Sequence, residues 1–174
     1  WFNQRSHSIG TGEVVGILLM MGLALISVLV RDLPLEATQT SFTTAVLLAC
    51  IPLFGPLVAG VIGLLAAVAD RGHGWSIVPV FNGLMIGTQT LLGGAVYVLL
   101  GGIHPLGPGY QPFDLVLHVG APLVAADLVM CLANALILAG MVAITGGNPR
   151  AVLAGTVREL LPLYLGYVVI GFVL

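Results

Sequence analysis

The chain has 174 residues, of which 59% are hydrophobic and only 7% charged: five Arg, no Lys and seven Asp or Glu, for a net charge of −2. A water-soluble domain has about a quarter of its residues charged, so the composition excludes one, and so few scattered arginines exclude a nucleic-acid surface as well. At about 20 residues per helical crossing, five or six spans with short connections use up the length and leave no room for a soluble domain.

The first apolar run, Val14 to Val30, follows Arg5 and has the length of a signal-peptide core. It ends in Arg31-Asp32-Leu33-Pro34 without a small-x-small cleavage pattern, so it reads as a retained span. The second, Phe42 to Ala69, is interrupted by Pro52 and by Gly55-Pro56. It is either one broken, tilted span or two short helices meeting at that corner. A third run covers Val80 to Leu100, and the Pro- and Gly-rich loop after it, Gly101 to Asp114, predicts no regular structure. The fourth, Leu115 to Ala143, contains Gly120-Ala121-Pro122, which predicts first turns set at an angle to the rest. Arg150 to Leu160 reads as an interfacial entry to a last span, Val157 to Leu174. That run ends without cap, polar tail or basic stop, so the chain is expected to continue beyond Leu174 as part of the same single transmembrane domain.

Continuously apolar runs, rather than alternating ten-residue strands, predict an all-α polytopic membrane bundle. Orientation follows arginine, which is retained on the cytoplasmic side. If the second run crosses once, Arg5, Arg71, Arg150 and Arg158 share a side; if twice, Arg31, Arg71, Arg150 and Arg158 do. Either way the connections holding Arg71 and Arg150 are cytoplasmic and the Gly101 to Asp114 loop is outside. Gly55, Ala59, Gly63 and Ala67 recur every four residues and make a groove for a neighbouring backbone, a device that Gly83 and Gly87 repeat. Packing inside the bundle is the favoured use of that groove; a homodimer or larger membrane complex is the other.

Asp127 is the costliest residue. It stands near the middle of the fourth run, where an aspartate costs roughly 2.5 to 3.5 kcal/mol on insertion scales, so it needs a partner or a proton. Cys131 and Asn134 follow on the same helical face. Asn82, Gln89 and Tyr97 form a second polar stripe on the third run. If the two stripes face one another, Asn82, Gln89, Tyr97, Asp127 and Asn134 line a small-ligand cavity, a proton pathway or, the bland reading, a hydrogen-bond network that holds helices together at about 0.6 kcal/mol per bond.

The remaining polar groups predict little chemistry. His118, one turn after Asp114, reads as an interfacial Asp-His pair, with His104 in the preceding loop and no ligand spacing for a metal. Glu13 suits a helix N-terminus. Cys50 and Cys131 read as small buried side chains. No phosphate loop, nucleophile elbow, HExxH or catalytic carboxylate pair is present, so no enzyme activity and no cofactor are expected of these residues.

Three segments carry a resemblance: Ala45 to Ala69 with its Leu53-Phe54-Gly55-Pro56 corner; Val80 to Gly102, with Phe81-Asn82, Gly93-Gly94-Ala95-Val96-Tyr97 and Gly101-Gly102; and Cys131-Leu132-Ala133-Asn134-Ala135-Leu136. In this order they resemble, over residues 41 to 174, the multi-span membrane domain at the N-terminus of bacterial signalling proteins that carry HD-GYP phosphodiesterase or GGDEF cyclase domains. The resemblance implies a non-catalytic sensor or anchor in a bacterial inner membrane, followed by a further span and an output module. The chain has no HD dyad, GYP triplet or GGDEF run, so either activity would belong to residues outside it. Phe54-Gly55-Pro56-Leu57-Val58-Ala59-Gly60 and the overall size also look like a substrate-binding subunit of an energy-coupling-factor vitamin transporter. Those subunits usually carry Ala-xxx-Ala in the first helix, where this chain has Gly16-xxx-Met20. An accessory subunit of a larger membrane complex is the third expectation.

Overall fold

Proline and glycine set most of the helix ends. The computed structural model describes residues 10–31, 42–69, 77–104, 111–155, 158 and 161–173, and among them every regular element is helical. In chain order these are α1 (Thr11–Arg31), α2 (Thr43–Phe54), α3 (Pro56–Val68), α4 (Ile77–Leu99), a single turn α5 (Pro112–Leu115), a π-helical segment (Val116–Gly120), α6 (Ala121–Ile144), α7 (Pro149–Gly155) and α8 (Leu161–Val173). Three are long and apolar enough to cross a membrane alone: α1, α4 and the unbroken stretch Pro112–Ile144.

The second apolar run is two helices. Gly55, with φ +87° and ψ 166°, is the whole connection, and Pro56 opens α3 at the position where a missing N–H costs nothing. A Cβ placed on Gly63 would stand 3.0 Å from Leu47 Cδ1, so α3 folds back along α2 as an antiparallel hairpin. Seven successive residues of α2, Ala45 to Ile51, are at most 1% exposed, which makes this helix the centre of the bundle.

Glycines set the other contacts. Gly60 lies against Leu91 and Gly87, Gly83 against Leu64 and Val68, and Gly94 against Pro56, so α4 runs antiparallel to α3 with its backbone drawn close. Ala59 and Ala67 of the small-residue stripe are buried, and Gly63 faces Ile86 and Leu47, all inside the chain. On the opposite flank of α2, Gly16 of α1 lies under the Phe54 ring, and Ser27 of α1 shares a hydrogen bond with Thr43 at the start of α2. Helix α8 reaches α2 through Gly171, which sits at Ala45 and Leu48. Outward faces are apolar, with Leu18, Leu57, Leu84 and Leu132 all more than half exposed, as lipid-facing residues should be.

The fourth run departs from expectation. Helix begins at Pro112, inside the segment expected to be irregular, and passes through the π segment into α6 with helical dihedrals at every junction. Pro122 explains the π turn. It has no N–H to give the carbonyl four residues back, at His118, and that carbonyl instead accepts a hydrogen bond from the Ile103 N–H at 3.1 Å.

Helix ends are finished locally. Gly101 (φ +80°) and Gly146 (φ +82°) close α4 and α6. In each, the following glycine N–H reaches back five residues, Gly102 to Tyr97 and Gly147 to Val142, as in a Schellman motif. Asn148 Oδ1 accepts from the N–H groups of Arg150 and Ala151 and caps α7. Thr156, Val157, Glu159 and Leu160 lie outside the described residues.

Candidate functional site

The antiparallel pairings give each polar side chain a depth. A Cβ on Gly93 of α4 would stand 2.8 Å from the Ala126 carbonyl oxygen and 2.5 Å from Met130 Cγ, so the α4–α6 seam runs through these residues. Asp127, next to Ala126, is therefore level with Gly94 and with the Pro56 that packs on it. It also lies one residue from the midpoint of the 33-residue helix Pro112–Ile144, about 22 Å from its start and about 26 Å from its end at 1.5 Å per residue.

Asp127 is 0% exposed, and neither carboxylate oxygen has a hydrogen-bond partner. Gly120 lies seven residues before it on the same helical face, and a Cβ placed there would stand 3.6 Å from the Phe172 ring of α8. The acid therefore shares a face with the glycine that meets α8, on the flank of the seam and not in it. Cys131, free and buried, and Asn134, half-buried, continue that face.

The residues of α4 behave differently from one another. Gln89 is one turn from Gly93, so it faces α6; it is 4% exposed and its Oε1 is unpartnered. Tyr97, one turn the other way, is fully buried and its hydroxyl donates to the Ile103 carbonyl at 2.7 Å. Asn82 is half-buried and lies about 18 Å along the axis from the level of Asp127. The five predicted residues thus belong to one helix pair without forming one constellation. Asp127 and Gln89 hold unpaired oxygens and are not bonded to each other, the hydroxyl of Tyr97 is occupied, and the two asparagines lie toward the far end.

Two features were not anticipated. Thr90, 0% exposed, folds its hydroxyl back onto the Ile86 carbonyl at 2.8 Å and so hides a polar group without a second helix. Ile103 is held at both ends, its N–H by His118 and its carbonyl by Tyr97, which ties the loop after α4 to α6. Pro122, four residues after His118, is the sequence signal for the first of these bonds. His118 does not pair with the Asp114 carboxylate: its Nδ1–H donates to the Asp114 backbone carbonyl at 3.1 Å, the ordinary i−4 reach along a helix. His104 stands over the hairpin corner, with Cδ2 at 3.1 Å from a Cβ position on Gly55. Among the described residues no three His, Cys, Asp or Glu gather as metal ligands.

Chemically, the arrangement offers a lone carboxyl group at mid-helix, shielded on all sides, and an equally unpaired amide oxygen on the neighbouring helix. A buried ionisable group left without a partner is costly, and such groups in spans mark functional positions. Comparisons with protein-family models, with curated proteins and with solved structures find no match to this chain.

Proposed function

We propose that the chain is a non-catalytic bacterial inner-membrane domain that senses a small ligand through the region of Asp127 and regulates an attached cytoplasmic module of HD-GYP or GGDEF type. The observation that carries this reading is the pair of unpartnered carboxylate oxygens at mid-helix. A residue kept only to hold helices together would make the bond that holds them, and Asp127 makes none. A ligand that binds one helix arrangement better than another shifts the balance between them, and differential affinity is all that such regulation requires.

The membrane topology belongs to the same proposal. Six helices are embedded: α1, the short hairpin arms α2 and α3, α4, the Pro112–Ile144 helix and α8. The hairpin brings the C-terminal ends of α1, α3 and α6 to one end of the bundle with the N-terminal ends of α2 and α4. Arg31 closes α1, Arg71 lies in the connection between α3 and α4, and Arg150 follows α6, which makes that end cytoplasmic. Gly16 packs under Phe54 inside the chain, which leaves its face of α1 unsuited to docking on a transport module and favours the sensor over the vitamin-transporter subunit.

The test is output. In membranes carrying the protein together with its downstream sequence, cyclic-dinucleotide turnover is measured for wild type and Asp127→Leu, with membrane insertion checked for both. Asp127→Leu is expected to fix turnover at one level regardless of condition. Turnover that responds as in wild type would remove the reading.

A further inference from the structure

Asp127 differs from a ligand site of the usual kind because it is enclosed. No part of it is exposed, and helix α6 meets α4 closely enough at Gly93 to exclude even a methyl group. A metal cation would need several oxygen donors and finds one carboxyl group. An organic molecule would need room. A proton needs neither.

We propose that the ligand of Asp127 is a proton: the acid is neutral in the packed bundle, and it releases its proton only when the helices around it separate far enough to admit water. This deepens the sensing proposal and rests on it for its regulatory consequence. The exchange balances simply. One Oδ takes a proton from a hydronium ion that reaches the open form, making an O–H bond, removing the negative charge and leaving water, and on reopening that bond breaks and a water molecule carries the proton away as hydronium while the carboxylate forms. An isolated ionised carboxylate in apolar surroundings is so costly that neutralisation is the ordinary outcome, and every observed neighbour leaves the acid without a compensating charge.

The titratable groups on the elements packed against α6 are few. Helix α4 offers Tyr97, whose hydroxyl is given to Ile103; α2 offers Cys50; the π segment offers His118, exposed and bonded to a backbone carbonyl; and α7 offers Arg150, exposed. Helix α8 carries Tyr167 and Tyr164, the latter with its side chain outside the described residues. On α6 itself Cys131 lies one turn on, and none of the described groups bonds to Asp127. Opening that separates α6 from α8 is the motion a proton on Asp127 would oppose.

Infrared spectroscopy of the protein in lipid nanodiscs tests this, with aspartate carrying a carbon-13 carboxyl so that its bands are separated from those of glutamate. At a pH where water-exposed aspartates are ionised, wild type is expected to show the carbonyl stretch of a protonated aspartic acid, which Asp127→Asn lacks. Wild type that shows only carboxylate bands, one of them lost in Asp127→Asn, would overturn the proposal. If Asp127→Asn does not fold, the labelled wild-type spectrum decides alone, because the protonated band is either present or absent. The two readings fail separately: a protonated band with turnover indifferent to pH and to Asp127→Leu defeats sensing and leaves the proton in place. Carboxylate bands with turnover sensitive to Asp127→Leu defeat the proton and leave sensing.

Discussion

Substituting Gly94 by Ala measures how closely the hairpin and α4 are packed. The added methyl carbon would stand 2.6 Å from Pro56 Cβ, 3.0 Å from its Cγ and 3.1 Å from its Cα. All three atoms belong to a rigid ring or to backbone, so none can swing aside. Overpacking of this kind costs typically about 1–3 kcal/mol. In a helix interior, alanine itself recovers about 0.8–1.0 kcal/mol over glycine. Gly140→Ala is the matched control: it lies in α6, is exposed, and its Cβ would meet nothing within 4 Å. The propensity gain is common to both variants, so their difference isolates the clash. At about 2–4 °C per kcal/mol for a chain of this size, a difference near 2 kcal/mol separates the two midpoints by roughly 4–8 °C. Cys50 and Cys131 supply the assay, because both thiols are free and buried and become available to a thiol-reactive fluorophore only on unfolding. Equal midpoints for Gly94→Ala and Gly140→Ala would refute the close approach of α3 to α4.

Further outcomes follow from the contacts around the loop after α4 and from the proposed topology. Tyr97→Phe removes the 2.7 Å bond to the Ile103 carbonyl and is expected to lower stability by about 1 kcal/mol, seen as an earlier thiol-dye transition; an unchanged midpoint would show that the loop is held by other means. Pro122→Ala returns a donor to the His118 carbonyl and should release the Ile103 N–H. Hydrogen exchange at Ile103 then quickens while the α4 interior stays protected, and unaltered exchange at Ile103 would contradict the origin given for the π turn. Single cysteines at Gly12, Gln111 and Asn148 report sidedness to a membrane-impermeant maleimide. Gly12→Cys and Gln111→Cys should label from outside and Asn148→Cys from inside, and labelling of Gly12→Cys and Gln111→Cys on opposite faces would break the antiparallel stacking of α1, the hairpin and α4.

Much of the architecture is legible because a membrane imposes it. Charges are tolerated only between spans, so the apolar runs locate α1, α4 and α6 to within a few residues. The Gly55-Pro56 corner is legible as a break, but whether it is a bend or a reversal depends on φ and ψ at a single residue, which composition does not encode. The course of the chain through Pro122 is hidden for a related reason. A proline predicts a lost hydrogen bond, and whether the helix kinks or widens by one residue depends on what takes the freed carbonyl, here an N–H nineteen residues upstream of the proline. Burial of Asp127 follows from cost alone. Its facing does not: the seven-residue spacing of Gly120 and Asp127 aligns them, but only the packed structure shows α8 against Gly120.

The one-residue corner at Gly55 also limits which parts of the molecule can move. A connection with no slack does not let its two arms slide past each other, and the glycine contacts along α3 join α4 to the same block. These three helices behave mechanically as a fixed stator. Gly93 draws α6 to α4 just as closely, so the boundary left for displacement is the one with α8, and Asp127, the one enclosed acid among the described residues, rides on the helix that meets it.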